Sequence, residues 1–216
     1  MRPARRFAVL RVRAERRLDR LRSLGAAACL QGTPAARREI TFVTLEVHNL
    51  WLNFCRSYFL SCILRPEREN GGVVIASKFT GNGFNDAIAV AMKRHKPRVQ
   101  PTAAGTWRRR DEPAWQDTSV FTSSCQDLGC SNLNAIHAAL SIGSRVFQDL
   151  PVFRNFFAHR NESSSDSARS VASAYSIAST RRHPTQILAS HPYGRPVPLL
   201  VDWIDDIAIT IQLICN

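Results

Sequence analysis

Three side chains between Phe153 and Asn161 are of the types that phosphodiester chemistry uses: Arg154, Asn155 and His159. On a helix, Asn155 and His159 lie four residues apart and share a face. Arg154 falls about 140° round from His159 by the helical period of about 3.6 residues, and its long side chain can bend back over the first turn. Phe153, Phe156 and Phe157 are spaced to anchor the segment in an apolar core. An imidazole transfers protons near neutral pH. A guanidinium grips phosphate oxygens in bidentate fashion and stabilises charge that builds up in a transition state. The bland alternative is a solvated helix face that ends at His159 and Arg160, with Asn155 a surface residue.

A second cluster pairs aromatic rings with cations. Trp107 is followed by Arg108, Arg109 and Arg110, and Trp115 lies close behind. Stacking combined with phosphate contact is a common grip on single-stranded RNA, so these residues, with Arg160, form a weak RNA-binding set. The competing and preferred reading is a basic loop with tryptophan tucked onto the core. His48 reads as a satisfied buried histidine, and His183 and His191 stand beside prolines. The six His form no metal-ligand set, and no metal or other cofactor is expected. Gly81-Asn82-Gly83 is too short for a phosphate loop, and Ser163 to Ser165 make no nucleophile elbow.

Helices must position these groups. Phe7, Leu10, Ala14, Leu18 and Leu21 recur at helical spacing among arginines, which predicts an amphipathic surface helix over the N-terminus. Val43, Val47, Leu50, Phe54 and Tyr58, flanked by Trp51, Cys55, Phe59 and Cys62, predict a long central helix from about Ala35 to Leu64, stopped by Pro66. A short strand is expected at Val73 to Ala76, a helix from Asn85 to about Arg94, and another from Asn132 to Ile142. Pro151 reads as the start of a helix that continues to about Ala178. The last helix follows Pro198, with Asp202, Asp205 and Asp206 in its early turns. The resulting class is all-α, a bundle of five to six helices. Residues 1–34 read as a basic N-terminal extension and 35–216 as a helical domain carrying a long loop at 95–131.

Composition narrows the partners. Among 216 residues, Lys and Arg outnumber Asp and Glu by 29 to 17, a net charge of +12. That excess favours a polyanion, since neutralising phosphates releases counterions. The six Cys lack a paired C-x-x-C spacing and suit free thiols of a reducing cytosol, so the expected location is cytoplasmic. The Arg-rich start lacks the apolar run of a secretory signal, and no segment reaches the roughly 18 to 20 apolar residues of a membrane span.

The segment from Arg154 to His159 resembles the R-x4-6-H motif of HEPN proteins, in the form where a polar residue, here Asn155, follows the arginine. A looser likeness extends over about Ala35 to Ala178, including His48-Asn49-Leu50-Trp51 on the long helix. The resemblance implies a late helix of an HEPN-like bundle, with Arg154 and His159 catalytic and Asn155 supporting. It implies a homodimer that brings two motifs together. It further implies a metal-independent endoribonuclease, of the kind found as toxins in toxin–antitoxin or phage-defence systems, with an antitoxin such as a small nucleotidyltransferase as partner. The alternative within the same resemblance is a catalytically silent RNA-binding or dimerisation module. A helical interaction protein unrelated to RNA is the third reading.

Overall fold

The structure, a computed structural model, describes residues 1–178 and 183–216. It is all-helical, and among the described residues no β-strand forms; the segment expected as a strand makes only isolated bridges, Glu67 to Val73 and Ala76 to Cys130. The α-helices are α1 (Phe7–Cys29), α2 (Pro34–Cys62), α3 (Phe84–His95), α4 (Thr118–Leu128), α5 (Leu133–Leu140), α6 (Val146–His159), α7 (Glu162–Val171), α8 (Pro184–Leu188) and α9 (Leu199–Cys215). Among the described residues the count exceeds the expected five to six because the polar and proline-rich stretches contain α4 and α8, and because the helix expected from Pro151 to about Ala178 divides into α6 and α7. Two compact units emerge, and α1, α2 and α9 each contribute residues to both.

The first unit comprises residues 1–14, 51–143 and 210–216. Its core is aromatic and centred on Tyr58, which stacks on Phe7 at 4.2 Å and meets Phe121 edge-on at 5.7 Å. The Tyr58 hydroxyl is buried but satisfied: it donates to the Ile214 carbonyl at 3.2 Å and accepts from the Asn132 amide. The expected long loop at 95–131 is interrupted by α4. Asp117 accepts from the Ser119 and Val120 backbone amides at its start, and Gly129 closes it in the left-handed conformation. A side chain at Gly129 would meet Ser77 Oγ at 2.6 Å as well as carry that strained φ. The irregular stretch shrinks to the residues between α3 and α4.

The second unit comprises residues 15–50 and 144–209. Val146, Leu150, Phe153 and Phe157 of α6 form one buried stripe. That stripe carries the helix across Pro151, which stands inside α6 rather than at its start. Local chemistry predicts a break at proline; a continuous apolar face on both sides overrides it here. The helix then ends at Arg160 instead of running on to about Ala178. Arg160 adopts φ 50°, and Asn161 caps α7 by accepting from the Ser164 amide at 2.8 Å. Behind α6, Phe153 meets Trp203 edge-on at 5.4 Å.

The N-terminal helix is amphipathic as its spacing predicts, with Arg13, Arg16, Arg17 and Arg20 exposed. Phe7, Leu10, Ala14 and Leu18 are essentially fully buried and Leu21 nearly so. Trp51, Phe54 and Ile207 lie in the core as their spacing predicts. The apolar residues of α9 are covered within the chain, apart from Ile209 and Leu213, which are partly exposed. The strong hydrophobicity of this helix is thus met by the protein's own core.

Candidate functional site

The motif occupies the last turns of α6. Phe153, Phe156 and Phe157 are buried beneath it, whereas Arg154, Asn155, His159 and Arg160 are exposed. The aromatic residues thus fix the helix while the polar ones share its solvent side, the division that their spacing predicts. Among the described residues no hydrogen bond or ion pair engages the side chains of Arg154, Asn155 or His159. They are available to a ligand, and nothing within the described chain orients the imidazole.

A buried polar chain braces the first half of the same helix. The Trp203 indole donates to the Tyr175 hydroxyl at 3.0 Å, which donates to Asp149 Oδ2 at 2.8 Å. Arg145 reaches the same carboxylate at 3.2 Å. Asp149 lies 4% exposed on α6. A buried carboxylate is tolerated when its lone pairs are taken up in this way. The chain raises the Tyr175 phenol well above its ordinary range, chiefly by burial and then by the Asp149 charge.

The structure adds His48 to this neighbourhood. It is buried on α2, but it is not satisfied: Nδ1 has no hydrogen-bond partner among the described residues. Burial lowers its imidazole to about 4, and the nearby Arg154 charge pushes in the same direction, against a hydrogen bond with the Asn49 side chain. His48 is therefore a neutral ring near the motif's arginine. The sequence places it correctly in the interior, but the satisfaction expected of it is incomplete, since Nδ1 stays unpaired among the described residues; the approach of α2 to α6 leaves no local signature.

The tryptophan–arginine cluster belongs to the other unit. Trp115 is fully buried, its indole donating to Glu112 Oε2 at 2.8 Å. Arg56 grips the same carboxylate through two bonds at 2.6 and 2.7 Å. Arg109 adds a second cation at 3.1 Å and also donates to Asn53 at 2.8 Å. The guanidinium of Arg109 is thereby committed to the fold. Trp107 is half-buried, its backbone amide donating to Asn85 at 3.2 Å, and Arg108 and Arg110 are exposed. The segment is a buttressed structural element, with Arg108 and Arg110 the cations it presents to solvent.

No family model, curated protein or solved structure matches this chain. Its functional reading rests on its own residues and on the motif resemblance.

Among the described residues, no helix is long and apolar enough to cross a membrane, and no group of three His, Cys, Asp or Glu is placed to hold a metal ion. The six cysteines are free; Cys29 is half-buried and the others buried. Cys62, Cys125 and Cys130 hydrogen-bond one another. Burial pushes Cys62 and Cys125 up, while hydrogen bonds from those two bring Cys130 down to about 5.

Proposed function

We propose that the protein is an endoribonuclease of HEPN type that cleaves RNA without a metal, through Arg154 and His159 with Asn155 in support. The observation that carries this reading is the exposure of all three polar side chains, without a hydrogen bond or ion pair among the described residues, on the solvent side of a helix whose aromatic residues are buried.

In the proposed reaction the ribose 2′-oxygen attacks the adjacent phosphorus. A P–O2′ bond forms, the P–O5′ bond breaks, and the products carry a 2′,3′-cyclic phosphate and a 5′-hydroxyl. The 2′-hydroxyl loses a proton and the departing 5′-oxygen gains one. His159 takes part in this exchange, and Arg154 stabilises the added negative charge on the phosphorane. Asn155 orients the phosphate.

One His159 cannot readily serve both oxygens from one position, and nothing in the described chain orients it. A homodimer that sets two motifs face to face supplies the second imidazole, as the resemblance implies. Sedimentation at micromolar concentration is expected to report a dimer; a stable monomer that still cleaves RNA would remove the composite site. An antitoxin, such as a small nucleotidyltransferase, belongs to the same proposal, and a neighbouring gene of that kind would support it.

The first test is chemical. Purified protein is incubated with labelled RNA in excess chelator and the new ends are analysed. Cyclic phosphate ends are expected. Cleavage that stops on chelation, or that leaves 3′-hydroxyl ends, would refute the mechanism. Binding with no cleavage favours the silent RNA-binding module.

A further inference from the structure

Immediately beyond His159 the surface sinks into a depression of about 330 Å³. Arg37 and Arg38 of α2 line it from one side, Arg160 from the end of α6, and His183 from the start of α8; Phe156 and Phe157 also line it. All of these residues belong to the second unit. Among the described residues no carboxylate lines it. Among the described residues none of the three guanidiniums forms an ion pair.

Three features make this more than a charged stretch of surface. First, the cations converge. The His183 imidazole is lowered by burial and then by the charges of both Arg37 and Arg160, which places two guanidiniums from different helices about one ring. Second, the ring is held. His183 Nδ1 accepts from the Thr185 amide at 3.3 Å and lies 2.8 Å from Thr185 Oγ1, while Phe156 packs edge-on against the ring at 5.5 Å. Nδ1 as acceptor leaves the proton of the neutral ring on Nε2, a hydrogen-bond donor. Third, Arg160 stands at φ 50°, in the left-handed conformation that helix ends usually give to glycine. A strained position occupied by a long cation is a place where conformational cost is kept for a binding group.

We propose that this depression is a seat for a phosphate of single-stranded RNA next to the one being cleaved, gripped by Arg37, Arg38 and Arg160 with His183 as a neutral donor. The proposal rests on the reading of the protein as an RNA-acting one and adds where the strand lies. Converging guanidiniums suit a phosphate, because each presents a planar fork of donors. Arg160 follows His159 directly, so a phosphate held there fixes the register of the strand over the motif. The apolar faces of Phe156 and Phe157 lower the local dielectric and strengthen the grip.

The test uses the full chain and a short fluorescent single-stranded RNA whose 2′-oxygens are methylated, so that binding is read without cleavage. Affinity is measured over a range of salt for wild type, Arg37→Gln, Arg160→Gly and the double variant. Each lost phosphate contact is expected to flatten the dependence of log K on log salt by about 0.7, with weaker binding in each single variant and weaker still in the double. Arg37 is exposed and forms no ion pair among the described residues, so Arg37→Gln is expected to fold, and Arg160→Gly relieves a strained backbone; melting curves verify both. An unchanged slope in the double variant overturns the seat, as does wild type that fails to bind this RNA. Vesicles rich in anionic phosphatidylserine are titrated in parallel. Binding to vesicles, but not to RNA, through Arg37 and Arg160 overturns the assignment to RNA. The nuclease reading fails separately: pocket-dependent binding by a protein that never cuts unmodified RNA keeps the seat and discards the catalysis.

Discussion

His48 and Arg154 come from different helices, yet the guanidinium charge of one adds to burial in keeping the imidazole of the other neutral. A buried ring with an open nitrogen and a cation nearby is costly to protonate. It makes the stability of the second unit depend on pH in a defined direction.

The folded imidazole titrates near 4, below the ordinary value of about 6.5 that it regains on unfolding. Below the unfolded value the unfolded chain takes up the proton first. The stabilising contribution is therefore complete above about pH 6.5 and is lost as pH falls toward 4, amounting to about 3 kcal/mol in total. Urea unfolding of wild type and His48→Leu at neutral pH and near pH 4.5 checks this. The wild type is expected to lose more stability on acidification, by about 2 kcal/mol. Equal losses would mean that His48 is already charged or solvated in the fold.

Arg160 makes a second expectation, opposite in sign to most substitutions. A non-glycine residue in the left-handed region costs roughly 1 kcal/mol or more, partly offset by the greater freedom that glycine brings to the unfolded chain. Arg160→Gly should raise stability by up to about 1 kcal/mol while weakening the hold on RNA. A denaturation midpoint that moves downward would show that the Arg160 side chain supports the fold instead.

The Glu112 knot gives a third. Its carboxylate, 2% exposed, serves Arg56, Arg109 and the Trp115 indole together. Glu112→Ala leaves these donors without an acceptor, and a loss of about 3 kcal/mol is expected, because removing one partner of a buried pair strands the other. A shift in chemical denaturation of under about 1 kcal/mol would indicate that water replaces the carboxylate easily.

What the sequence discloses follows the physics of each element. The stripes of α2 and the apolar face of α9 are periodic over many turns, so their burial is legible, and Trp51, Phe54 and Ile207 lie where that period puts them. The motif's division into buried phenylalanines and exposed polar groups is legible for the same reason. Pro151 misleads because the deciding term, continuity of Val146 with Phe153 on one buried face, is tertiary. The helix α4 is short and rich in Ser and Thr, with only Phe121 and Leu128 as large residues on its buried side; Asp117 before it and Gly129 after it are the signals that mark it. The cationic depression assembles residues over a hundred positions apart, Arg37 with Arg160 and His183. No spacing rule reaches that far.

The central claim is that His159 transfers a proton during RNA cleavage. It is tested most directly by comparing single-turnover cleavage by wild type and His159→Ala on one unmodified RNA in excess chelator. His159 is exposed and unpaired among the described residues, so the substitution should leave the melting curve unchanged. The rate is expected to fall by about 10²–10⁴-fold, the usual contribution of a positioned acid or base. Cleavage by His159→Ala at the wild-type rate, with the fold intact, would contradict the claim.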